Sequence, residues 1–159
     1  MILELVGSRM LAPYVGTSLP VWTSIIGVIL ASLSLGYVYG GRLADKNAHD
    51  KTLSVILGSA GVLIALTAFF SRILLVTLNA SVSNIKTVSL LGGLVLLGPA
   101  SFFLGMVSPY AVRLKIRNLA TSGETVGNLF AISTIGSIAG TFSAGFILTA
   151  PTGLAARLD

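Results

Sequence analysis

The stretch Gly36-Tyr-Val-Tyr-Gly-Gly-Arg-Leu-Ala-Asp-Lys-Asn-Ala-His-Asp-Lys51 decides how this chain is read. A long apolar run ends here in small residues. Arg42, Asp45, Lys46, His49, Asp50 and Lys51 then crowd together, and a second apolar run begins at once. Two spanning helices that turn around in water at a membrane surface have this layout.

Composition points the same way. Of 159 residues, 54% are hydrophobic and only 9% are charged. A soluble domain carries about 25% charged residues, because it needs a polar shell. This chain cannot supply one, so the membrane class is expected. A hydrocarbon core of ~30 Å asks for roughly 20 apolar residues per spanning helix. The apolar runs predict an all-α, polytopic helix bundle in one transmembrane domain. The expected helices are a partial first one to about Leu11, then Leu19–Gly41, Thr52–Thr77, Thr87–Val112 and Thr125–Ala150. Pro13 and Gly16 should break the chain between the first two. With no basic region ahead of Ile2, the start reads as the tail of a helix and not as a cleavable signal peptide.

Lysines and arginines set the expected orientation. Arg42, Lys46 and Lys51 follow helix two, and Arg113, Lys115 and Arg117 follow helix four. Only Lys86 lies in the turn between helices three and four. In an up-down array the two basic loops share a side, which the positive-inside rule makes cytoplasmic. Loops 42–51 and 113–124 are therefore expected inside, in a prokaryotic plasma membrane. Topology accounts for the net charge of +5 without nucleic acid.

Several residues are candidates for packing or chemistry. Gly36 and Gly40 lie four apart with Ser32 on the same face, a spacing that lets another helix approach closely. Gly136 and Gly140 repeat it in the last helix, beside a row of Ser133, Ser137, Thr141 and Gly145, so that helix is expected to be the most tightly packed. Thr121 and Glu124 fit a capping box ahead of it. Gly98-Pro99 predicts a kink or an unwound turn in helix four. Such a break lines solute sites in transporters, or simply packs against its neighbours. Gly105 and Ser108-Pro109 add a second weak point. Glu4 and Arg9 are ionisable groups in an apolar segment, which suggests a functional or structural pair. Asp45 and Arg42 could latch helix ends together or lie in a solvated turn, and Arg72 could snorkel to the headgroups.

An enzyme is not expected from this chain. It has no cysteine and a single histidine, His49. That leaves no thiol chemistry, no metal site and no catalytic triad. No glycine-rich loop opens a helix after a strand, so no cofactor is expected.

The segment Gly41-Arg-Leu43-Ala-Asp45-Lys46 resembles the loop signature Gly-x-Leu-Ala-Asp-Arg of the major facilitator superfamily. Leu3-Glu4-Leu-Val-Gly7-Ser8-Arg9 through Ser18, Val21-Trp22-Thr23-Ser24, Gly105-Met-Val-Ser108-Pro109-Tyr110 and Gly127-Asn-Leu-Phe-Ala131 through Thr141 resemble the membrane part of fused facilitator-like/spermidine-synthase-like proteins. That resemblance implies a half-facilitator-like bundle of about four full spans plus the partial first helix. It implies a module that binds or moves a small cationic solute such as a polyamine. The alternative it implies is an anchor for an aminopropyltransferase-like domain that this chain lacks. Implied partners are the lipid bilayer and either a second copy of the chain or a soluble synthase-like domain.

Overall fold

The computed structural model describes residues 2–46, 48–81, 84–116 and 122–147. Among them every regular element is helical. The order is α1 (Ile2–Val15), α2 (Leu19–Lys46), α3 (Asp50–Ser81), α4 (Ile85–Leu96), α5 (Gly98–Lys115) and α6 (Ser122–Phe142), followed by a π-helical turn at Ser143–Ile147. Three helices are long and apolar enough to cross a membrane, or four if the bent α4–α5 pair is one span. This is compatible with an integral membrane protein. Large side chains such as Phe69, Val55 and Ile132 are more than two-thirds exposed, as lipid-facing residues would be.

The helix ends differ from the sequence expectation. Pro13 does not stop α1, which continues to Val15. Leu11 and Val15 are buried in the core, and that burial outweighs one lost backbone bond. The stop is Gly16, whose φ of +74° suits a residue without a Cβ. Helix α2 runs five residues past Gly41, so the expected loop signature is largely helix. Arg, Leu, Ala and Lys are good helix formers, and Ala44 is buried. Helix α5 passes through Pro109 to Lys115, so no second break forms at Gly105 or Ser108-Pro109.

Two apolar clusters hold the bundle. Near one end, Leu11 and Val15 of α1 meet Val21, Ile25 and Ile29 of α2, Leu75 of α3 and Val88 of α4. Near the other, Ala44, Ile56, Met106 and Tyr110 join α2, α3 and α5. Between them α2 and α5 cross backbone to backbone. A Cβ on Gly40 would lie 2.6 Å from Met106 Cα, and one on Gly105 would lie 2.6 Å from the Leu33 carbonyl oxygen. A Cβ on Gly36 would strike the Phe102 carbonyl. The small face expected on α2 is therefore the face against α5.

The same expectation fails for α6. No residue of Ser122–Phe142 is buried, and a Cβ on Gly136 would meet open space. Apolar and small residues alternate all round this helix, so no single face is sorted towards the bundle. Gly140 lies in the same exposed helix, half-buried. Thr121 of the expected cap, Arg117 of the basic loop and the stretch from Leu148 to Asp159 lie outside the described residues.

Substituting Gly40→Leu should force α2 off α5 and cost about 1–3 kcal/mol or more. Gly136→Leu should be neutral in the isolated chain. Thermal unfolding in detergent, followed by helical circular dichroism, separates the two; equal midpoints would contradict the crossing.

Candidate functional site

The interruption between α4 and α5 falls within an apolar segment. Leu97 belongs to neither helix, and the axes bend by 51°. The local cause is chemical. Pro99 has no N–H, so the Val95 carbonyl loses its helical donor. Backbone bonds flank the gap, Leu97 N–H to Gly93 O at 2.8 Å before it and Ser101 N–H to Leu97 O at 3.0 Å after it.

Side chains from other helices gather at this break. Thr67 of α3 donates its hydroxyl to the Leu96 carbonyl at 2.7 Å, and its Oγ1 also lies 2.9 Å from the Leu63 carbonyl. Ser32 Oγ of α2 lies 3.4 Å from where a Cβ on Gly98 would stand. Ser101 falls three residues after Gly98 and four before Gly105, on the stripe that faces α2. Ser101 is 1% exposed, and its Oγ has no hydrogen-bond partner. A buried hydroxyl in that state forgoes about 1–3 kcal/mol of hydrogen bonding.

Helix α1 passes the same level. Gly7 lets Leu97 press against the helix, since a Cβ there would lie 2.6 Å from Leu97 Cδ1. Glu4, Gly7 and Leu11 share one helical stripe, and Glu4 is half-buried. Arg9 is exposed, and no ion pair joins it to Glu4 among the described residues. Pro99 lines a groove of about 410 Å³ between α3 and the bent pair, walled mainly by Leu63, Leu66, Phe70 and Leu74. Neither Glu4 nor Arg9 lines that groove.

The second constellation is the basic end. Arg42 and Lys46 at the end of α2, Lys51 at the start of α3, and Arg113 and Lys115 at the end of α5 come together there. Asp45 pairs with Arg113 of the neighbouring helix, Oδ1 to Nε 3.6 Å, with both side chains more than half exposed. An exposed pair of this kind contributes about 0–1 kcal/mol. Gly41 lies on the same helix face, open enough that a Cβ would only touch Pro109 at 4.0 Å. Tyr110 is fully buried, and its hydroxyl accepts from the His49 N–H at 3.0 Å. His49 O in turn accepts from Thr52 N–H at 3.0 Å. One phenol thus fixes the turn that starts α3.

Sequence reasoning missed Thr67, Ser101 and Tyr110 as site residues. A hydroxyl inside a long apolar run was the available signal for the first two. No group of three or more metal-ligating side chains occurs among the described residues. The chain matches no family model, no curated protein and no solved structure.

Thr67→Val keeps the side-chain shape and removes the donor to Leu96 O. It should lower stability by about 1–2 kcal/mol, and Thr67→Ser should restore most of it. An unchanged unfolding midpoint in detergent for Thr67→Val would mean that Leu96 is satisfied otherwise.

Proposed function

We propose that this chain is a transporter-like membrane module, half-facilitator-like in build, that binds or moves a small cationic solute such as a polyamine. The observation that carries this reading is the broken α4–α5 span. It brings Ser32, Thr67 and the unpartnered Ser101 hydroxyl to a level where helical backbone bonding lapses. Interrupted helices of this kind supply polar groups to solutes near the bilayer midplane. Glu4, half-buried on α1 at the level of Gly7 and Leu97, supplies a carboxylate of the right sign for a cation. The Asp45–Arg113 pair supports a latch between α2 and α5 at the basic end, which the positive-inside rule would make cytoplasmic.

A second reading is a non-transporting anchor for a separate aminopropyltransferase-like domain. One observation favours it. The groove that Pro99 lines is walled by apolar side chains, and neither Glu4 nor Arg9 is among them. On either reading the resemblance to spermidine-synthase-like membrane proteins is the source of the solute class.

Uptake of labelled spermidine into proteoliposomes tests the first reading. The chain should accumulate spermidine above protein-free vesicles. Glu4→Gln should cut uptake by about tenfold, the effect of losing roughly 1.4 kcal/mol of binding. No uptake by the unaltered chain would favour the anchor, and full uptake by Glu4→Gln would remove the carboxylate from the mechanism.

A further inference from the structure

Beside the Asp45–Arg113 pair lies a cleft to which neither reading gives an occupant. It has a volume of about 590 Å³ and lies between α2, α5 and α6. Tyr37, Ala44, Pro109, Val112 and Phe130 form apolar walls, and Asp45 and Arg113 are its charged lining. A second cleft of about 190 Å³ shares Ser108, Val112 and Phe130 with it. This one continues between α5 and α6 past Leu129 to Ser133. Together they make a slot that begins among charges and runs into apolar depth.

We infer that this slot holds an acyl chain of an anionic phospholipid, with the lipid phosphate on Arg113. Three features fix that chemistry. The slot is apolar along its length, and its volume falls in the range of about 300–1,000 Å³ usual for ligand sites. Its charged mouth lies where the apolar spans of α2 and α5 end, the level of lipid headgroups in a bilayer. Lastly, the charge there is lopsided. Among the described residues at this end, Arg42, Lys46, Lys51, Arg113 and Lys115 stand against Asp45, Asp50 and Glu124.

Arg113 is the residue able to hold the phosphate. Its contact with Asp45, at 3.6 Å, is long for a charge-assisted bond, which closes to about 2.7–2.9 Å. One long contact leaves most of the five guanidinium donors for other acceptors. A phosphate arriving from the membrane competes with Asp45 for the same group. Lipid binding and the Asp45–Arg113 contact therefore oppose each other, whether the chain transports or anchors.

The test uses the purified full chain in detergent and native mass spectrometry. The probes are dioleoylphosphatidylglycerol and dioleoylphosphatidylcholine in equal amounts. The anionic lipid should be retained over the zwitterionic one by about fivefold, the effect of one basic side chain at a lipid headgroup. Arg113→Gln should bring the ratio close to one, and Arg113→Lys should keep a clear preference, which a folding defect at this position would not allow. Asp45→Asn should raise retention of the anionic lipid, because the internal competitor is gone. Excess inorganic phosphate should leave the lipid bound. The inference is overturned by any of four results: unchanged preference in Arg113→Gln, an equal loss in Lys115→Gln, lower retention in Asp45→Asn, or displacement by inorganic phosphate. None of these results bears on spermidine uptake, so the two proposals fail separately.

Discussion

The close crossing of α2 and α5 is the contact on which the rest depends. Gly36 and Gly40 on one helix and Gly105 on the other bring main chains within van der Waals reach. In a bilayer, lipid tails are as apolar as leucine, so burying leucine between helices gains little. Close backbone approach and the dispersion contacts it permits are what remain. These three positions therefore hold α5 against α2, and through α5 they fix the Gly98 end and the Arg113 end alike.

The broken span is packed on both sides of its bend. Helix α5 lies along α2 and also meets α3. Helix α4 packs on α2 as well, and reaches α1 and α3 through Val88, Leu96 and Leu97. The 51° bend at Leu97 lies where Pro99 removes a backbone donor. Within hydrocarbon a bend frees carbonyls that water cannot reach. Thr67 answers one of them at Leu96. The Ser101 hydroxyl, one turn further on, is buried without a partner.

Much of this was legible in the sequence, and the failures have physical causes. Apolar run length gave the helices, and Gly98-Pro99 gave the break, because backbone chemistry acts locally. The loop signature was misplaced by its charges: Arg42, Asp45 and Lys46 look like a turn but sit on exposed positions of a helix whose Ala44 is buried. The small faces of α2 and α6 read alike, yet among the described residues only that of α2 is buried against a neighbouring helix. Spacing shows that a helix can be approached closely, and only tertiary structure shows by what. Tyr110 was invisible for a related reason, since its partner His49 lies 61 residues away.

The middle and the basic end of the bundle differ in strength, and the difference has a direction. At the crossing, separation would cost many dispersion contacts at once and leave a void that a flexible side chain cannot fill, because none is there. At the basic end, an exposed ion pair of about 0–1 kcal/mol joins the same two helices, beside an apolar slot that is already open. Tyr110 holds the start of α3. The contact between α2 and α5 is therefore strongest at the glycines and weakest at Asp45 and Arg113.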